Sequence, residues 1–152
     1  MENEKYSLKK VLYYSVLGLI GVVAGGMLVK KIRNDIRKGR EYGEEKEVVK
    51  EHQKEIDASR LTYPESAYKT YANRLFEIVD GVGSTDKSIF EVVTKMKNKD
   101  DWNKLVTEFG VKSGTKWYNS GFSGNMVKWL QTEVSDIKLL GNYLANLGVH
   151  DF

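Results

Sequence analysis

A charge-free apolar stretch, residues 11–29, constrains this chain more than any other feature of its sequence. As an α-helix this stretch rises about 28 Å, close to the hydrocarbon thickness of a bilayer. Tyr13 and Tyr14 lie near its N-terminal edge, where aromatic rings favour the membrane interface. A buried soluble helix is disfavoured, because the rest of the chain is too short to cover a helix that is apolar on every side. The sequence therefore predicts an N-terminal tail, residues 1–10, followed by one transmembrane helix, residues 11–29.

Positive charges flank this predicted span. Three lysines precede it, and a denser group follows it with Asp35 as the opposing acid. The cations of that group are Lys30, Lys31, Arg33, Arg37, Lys38 and Arg40. The positive-inside bias predicts a cytoplasmic C-terminal domain. The same cations are expected to bind anionic lipid head groups, although a simple stop-transfer anchor explains them equally well.

Small residues inside the span allow two further interpretations. Gly18, Gly21 and Gly25 would let two such helices approach closely and form a homo-oligomer. Glycine is also common in membrane helices that do not associate. Small residues near Ala24 match a signal-peptide cleavage site, but we expect the segment to be retained as an anchor.

Composition argues against several kinds of chemistry. Cysteine is absent, which excludes disulfides, thiolate zinc sites and thiol nucleophiles. The two histidines, His52 and His150, stand far apart in sequence, so a histidine-rich metal site or catalytic triad is not expected. The net charge of +3 comes from the N-terminal part, since residues 61–152 hold eleven basic and eleven acidic side chains. We therefore expect neither an enzyme nor a specific nucleic-acid binder.

Residues 30–60 are expected to form a basic juxtamembrane segment and a charged helical stalk. Lysines and glutamates alternate here at helical spacing, which supports a solvated helix. Tyr42, Val49 and Ile56 repeat every seven residues, but each heptad lacks a second apolar position. A stable coiled coil is therefore not predicted.

Residues 61–152 are predicted to fold as five short amphipathic helices. The first begins at Pro64 and ends near Val79, and the second opens at Ser84 or Thr85 after a Gly81-Val82-Gly83 turn. The other three are expected near 100–109, 126–134 and 137–147, with a long Gly- and Ser-rich loop before the fourth. The fold class is therefore all-α. Lys95, Lys97, Lys99 and Lys104 form a cluster that Asp100 and Asp101 interrupt, so a solvated face is favoured over a phosphate-binding patch.

The motifs GVGSTDKSIF and WLQTEV, in this order, resemble one annexin-type repeat. The resemblance covers residues 64–148, and together with the segment NKDDWNKLVTEFGVKSG it is closer still to annexin-like domains of bacteriophage structural and tail-associated proteins. It implies an annexin-repeat-like bundle in a virion or virion-associated protein. Only one repeat is present, and the loop from Gly110 to Gly124 is longer than in annexins.

The same resemblance implies a calcium site at Val79, Gly81, Gly83 and Glu133. Carbonyls of a tight glycine turn and a bidentate glutamate are suitable ligands for this hard cation. Lys87 nearby weakens the match, and the glycines are also explained by a turn between helices. No other cofactor is expected.

Three aromatic residues of the long loop, Trp117, Tyr118 and Phe122, are expected to form a partner-binding surface or, in part, to plug the bundle.

The leading functional hypothesis is a non-enzymatic, membrane-anchored interaction protein of a bacteriophage, located in a host or virion membrane, whose bundle contacts a protein or envelope partner. A calcium-dependent phospholipid-binding module is the first alternative. A phage lysis or envelope-remodelling accessory protein is the second.

Overall fold

The structure, a computed structural model, describes residues 37–150 and divides the chain into two compact units between Glu41 and Tyr42. In the first unit, residues 37–41 are described; they are helical, and Arg37 Nε lies 3.7 Å from Glu41 Oε1.

The predicted transmembrane helix lies outside the described residues. The same holds for three glycines and three cations assigned to it and its flank: Gly18, Gly21, Gly25, Lys30, Lys31 and Arg33. Between residues 37 and 150, no helix combines the length and the apolar character that crossing a bilayer requires.

The second unit is mainly helical, which confirms the all-α prediction for the part of the chain that is described. Helix α1 covers residues 42–54 and is followed by a 3-10 turn at Ala58–Arg60. The remaining helices are α2 (Glu65–Val79), α3 (Asp86–Val93), α4 (Lys99–Phe109), α5 (Met126–Glu133) and α6 (Ile137–Asn146). A two-residue antiparallel ladder joins β1 (Lys112–Ser113) to β2 (Ser123–Gly124), with Lys112 opposite Gly124.

Polar side chains set the start of four of these helices. Thr85 and Ser88 form a reciprocal capping box at α3, and Asn98, Asn125 and Asp136 cap α4, α5 and α6. Each such cap stabilises a helix by about 1 kcal/mol, because it satisfies an N–H that has no partner within the helix. The local sequence therefore places these helix boundaries.

The hydrophobic core lies where α2 and α4 pack together, with α3, α5 and α6 closing around them. Phe76 forms edge-to-face ring pairs with Phe109 and Trp129, at centroid distances of 5.9 and 5.7 Å. The largest fully buried side chains include Trp102, Trp129, Tyr68, Leu75, Ile89 and Met96. The middle of α2 is therefore covered by the core, and the loops before and after this helix attach at its two ends.

Helix α1 packs against the bundle from Tyr42 onward, in the segment whose sequence predicts a solvated stalk. Glu45 Oε1 pairs with Lys128 Nζ at 3.0 Å, and its Oε2 accepts a hydrogen bond from Asn125 N at 3.0 Å. His52 Nδ1 lies 2.7 Å from Asn103 Oδ1. The half-buried positions of this segment recur at helical spacing: Glu45, Val48, Val49, His52 and Ile56. One side of the charged helix is therefore an intramolecular interface.

Asp101 is a buried carboxylate that joins three separate segments. It accepts hydrogen bonds from Thr62 N at 2.8 Å, Tyr68 Oη at 2.5 Å and Lys97 N at 2.9 Å. Burial opposes ionisation of Asp101, but these hydrogen bonds outweigh burial and lower its pKa. Neighbouring Asp100 is 4% exposed and accepts a hydrogen bond from Asp57 N. The prediction of a solvated face is wrong for these two aspartates, because the chain before α2 packs over them.

We expect Asp101→Asn to lower the free energy of unfolding by about 2–3 kcal/mol, measured by urea denaturation at pH 7. Both carboxylate oxygens accept N–H or O–H groups, so an amide in either orientation places an NH2 against a donor. Because the folded-state pKa lies below the ordinary value of 3.8, this contribution is present above that pH and is lost as pH falls through the lowered value. The variant should therefore lose less stability than the wild type on acidification.

Asp136→Asn is the matched control. Its carboxylate caps α6 by accepting a hydrogen bond from Leu139 N, and asparagine caps helices equally well. Equal destabilisation by the two substitutions would contradict the role assigned to Asp101.

Candidate functional site

A tight turn after α2 begins the site. Gly81 N donates to Ile78 O at 3.1 Å, and a Cβ at Gly81 would lie 2.8 Å from the backbone oxygen of Glu77. Gly83 has a φ of +78°, in the left-handed region that favours glycine. Both glycines are thus required by the turn itself, independently of any ligand.

Asp80, the residue that ends α2, anchors the long loop to this turn. It is 3% exposed and accepts hydrogen bonds from Thr115 N at 3.1 Å, from Thr115 Oγ1 and from Asn119 Nδ2 at 3.3 Å. Burial opposes its ionisation, yet the bonds from Thr115 and Asn119 outweigh burial and lower the pKa of Asp80. Tyr118 Oη also donates to the Asp80 carbonyl at 2.8 Å. One residue therefore positions the loop segment that carries the aromatic side chains.

Together the turn, the loop and the end of α5 enclose a pocket of about 450 Å³, called here the glycine-turn pocket. At one side of it, Ser84 Oγ donates a hydrogen bond of 2.9 Å to Glu133 Oε2. Its lining residues are Gly81, Val82, Gly83, Ser84, Trp117, Tyr118, Asn119 and Glu133. Residues that the sequence analysis assigns to two different sites thus meet in one place.

The aromatic residues of the loop are divided between this pocket and the core. Trp117 is 86% exposed and meets Tyr118 edge-to-face at a centroid distance of 5.6 Å. Phe122 instead packs on Trp129 at 4.5 Å. Val82, which also lines the pocket, is 88% exposed. The pocket therefore has an apolar, solvent-exposed rim made by Trp117 and Val82.

Glu133 gives the lining of the glycine-turn pocket a negative formal charge. Glu133 is the charged residue of its lining, and neither Glu133 nor Asp80 forms an ion pair with a lysine or arginine among residues 37–150. Burial raises the pKa of Tyr118, and the negative charges of Asp80 and Glu133 raise it further. A cationic group is the complementary ligand for such a pocket.

The residues of the candidate calcium site are placed as follows. Gly81, Gly83 and Glu133 line the pocket, whereas Val79 is buried in the core at the end of α2. In the described range, no group of three or more His, Asp or Glu side chains is arranged to hold a metal ion. Any calcium ligand beyond Glu133 would have to be a backbone carbonyl, the side-chain carbonyl of Asn119, a hydroxyl or water.

A second and larger cleft, about 570 Å³, lies between α1 and the ends of α4 and α5. Two of its four glutamates are paired: Glu45 with Lys128 at 3.0 Å, and Glu55 with Lys99 at 2.8 Å. These ion pairs join α1 to the bundle, so we interpret the cleft as the gap that remains where α1 packs on the other helices.

Three of the cations assigned to lipid binding, Arg37, Lys38 and Arg40, fall within the described residues and are exposed. They belong to the first unit, so they are not part of the glycine-turn pocket.

Asp80, Thr115 and Asn119 are the site residues that sequence reasoning missed. The Asp80-Gly81 pair indicated only a turn. No pattern in the nearby sequence links Asp80 to Thr115 and Asn119, which lie 35 and 39 positions later. Asparagine and aspartate in turns are common, so their presence carried no signal for this contact.

We expect Asp80→Asn to loosen the loop while leaving the helices folded, because an amide NH2 would face donors of Thr115 and Asn119. The free energy that holds the loop in place should fall by about 1–3 kcal/mol. Trypsin should therefore cleave the native protein faster after Lys116. Mass spectrometry of timed digests measures this. Glu91→Gln, an exposed carboxylate on α3, is the control. Unchanged cleavage in Asp80→Asn would contradict the anchoring role.

Comparison with known proteins gives no match to a family model, to a curated protein or to a solved structure. The resemblance to annexin-type repeats therefore rests on the sequence motifs and stays a prediction.

Proposed function

We propose that this chain is a membrane-anchored interaction protein whose helical domain binds a partner through the rim of the glycine-turn pocket. One observation carries the proposal: Trp117, 86% exposed, and Val82, 88% exposed, line the same pocket. Tryptophan is strongly enriched at the energetic centres of protein interfaces and buries a large area when covered.

The way in which the structure holds Trp117 supports a binding role for its exposed side chain. Its neighbour Tyr118 is held by the Asp80 carbonyl, and the loop is held by Thr115. An aromatic side chain presented by an ordered loop loses little conformational freedom when it binds a partner. Burial of this residue in the same chain would instead have stabilised the fold, as it does for Trp102 and Trp129.

Anchoring and biological setting are proposed from the sequence. The apolar stretch at residues 11–29 and the cations after it support a single membrane span. The annexin-like motifs, most similar to those of bacteriophage structural proteins, support a phage protein in a virion or in the envelope of the infected cell. We assign no reaction to the pocket, because its lining holds no histidine that would complete a catalytic triad with the Ser84 hydroxyl and the Glu133 carboxylate.

A photo-crosslinking amino acid at position 117 tests the partner surface in the full-length protein. In alkaline-washed membranes of the cells that naturally produce it, we expect one discrete adduct from position 117. The matched control is position 69, an exposed site on α2 away from the pocket. Identical adducts from the two positions would refute the surface, and release of the protein by the alkaline wash would refute the anchor.

A calcium-dependent phospholipid contact is the second candidate, favoured by the convergence of Gly81, Gly83 and Glu133 on one pocket. A calcium ion here would use Glu133 and turn carbonyls to bridge to a lipid phosphate.

For this candidate we expect phosphatidylcholine vesicles that carry the full chain to cluster with phosphatidylserine vesicles only when calcium is added. Light scattering measures the clustering. Glu133→Ala should abolish it, while Glu91→Ala, which removes an exposed carboxylate on α3, should not. Clustering that is independent of calcium, or unaffected in Glu133→Ala, would exclude the candidate.

A further inference from the structure

The glycine-turn pocket contains a carboxylate with unused acceptor capacity. Glu133 Oε2 accepts the Ser84 hydroxyl, and among residues 37–150 no cation pairs with either oxygen of this side chain. The larger cleft pairs Glu45 and Glu55 with Lys128 and Lys99 at 3.0 and 2.8 Å, while Glu44 and Glu51 in its lining form no ion pair among residues 37–150. Of the two cavities, only the glycine-turn pocket combines such an unpaired carboxylate with tryptophan and tyrosine rings in its lining.

The aromatic residues of the pocket, Trp117 and Tyr118, indicate which kind of cation would bind there. Trp117 lines the same pocket as the carboxylate and is 86% exposed, and Tyr118 stands edge-on to it at an interplanar angle of 88°. A cation over an indole face is attracted by the ring quadrupole, and tryptophan gives the strongest such contact. An organic cation with a flat, weakly hydrated head satisfies both the ring and the carboxylate.

Arginine fits this combination better than lysine. Its planar guanidinium stacks on an aromatic ring while its N–H groups point sideways to a carboxylate, and it gives up its hydration more readily than an ammonium. Val82, 88% exposed on the rim, offers an apolar contact for the methylene stem. The exposed apolar rim also matches a protein partner, since it would remain uncovered by a small free cation.

We propose that the glycine-turn pocket receives an arginine side chain of a protein partner, which stacks on Trp117 and pairs with Glu133. The proposal rests on the interaction function above and names the chemistry of the partner. Ser84 keeps Glu133 oriented towards the pocket, and Asp80 holds the loop that presents the ring.

The probe is the peptide acetyl-Gly-Arg-Gly-amide, with norleucine and lysine versions for comparison. It is titrated into the full chain in nanodiscs while indole N–H signals are followed by NMR. Trp117→Phe assigns the Trp117 signal, and the signals of buried Trp102 and Trp129 serve as internal references. We expect the arginine peptide to shift the Trp117 signal alone and saturably, the lysine peptide to bind several-fold more weakly, and the norleucine peptide to have no effect.

Glu133→Gln should weaken binding of the arginine peptide at least tenfold, whereas Glu91→Gln should leave it unchanged. An equal response to the norleucine peptide, an unchanged affinity in Glu133→Gln, or no response to arginine would each overturn the proposal. The crosslinking at position 117 tests the interaction function independently of the arginine peptide. If position 117 gave a discrete adduct but the arginine peptide did not bind, the arginine proposal would be refuted and the interaction function would still be supported.

Discussion

The buried carboxylate of Asp101 is the interaction on which the arrangement of the helical domain depends. It stands at the start of α4 and binds the backbone before α2, the hydroxyl of Tyr68 within α2, and the backbone before α4. A charge in the protein interior is tolerated only when hydrogen bonds replace its lost hydration. Those hydrogen bonds in turn determine where α2 lies on α4, and the core forms between these two helices.

Asp80 uses the same principle at the opposite end of α2. Its carboxylate replaces hydration with donors from Thr115 and Asn119, and thereby fastens a loop that has only a two-residue ladder of its own. These hydrogen bonds offset the cost of burying the charge and of ordering the loop. The loop carries Trp117, which is exposed and lines the same pocket as Glu133, so the proposed binding surface depends on Asp80, which does not itself line the pocket.

Exposed aromatic surface distinguishes the two cavities of this domain. Between α1 and the bundle, the pairs of Glu45 with Lys128 and of Glu55 with Lys99 hold the helix in place. At the glycine turn, the carboxylates of Asp80 and Glu133 accept hydrogen bonds from hydroxyl and amide donors and form no ion pair among residues 37–150. Exposed apolar side chains, Trp117 and Val82, line this glycine-turn pocket.

The sequence by itself determined the helical class, the positions of α2 to α6 and a cap of α3 at Ser84 or Thr85, because apolar periodicity and capping are interactions between residues a few positions apart. It also identified the apolar stretch at residues 11–29 and selected Glu133 and Trp117 as separate candidates. Only the tertiary structure decided that the cap is Thr85, that Glu133 and Trp117 share a pocket, that Phe122 packs on Trp129, and that α1 lies against the bundle. The loop of the pocket is held by Asp80 through donors 35 and 39 positions away, and α1 by Glu45 through a donor 80 positions away; such contacts leave no periodic trace in the chain.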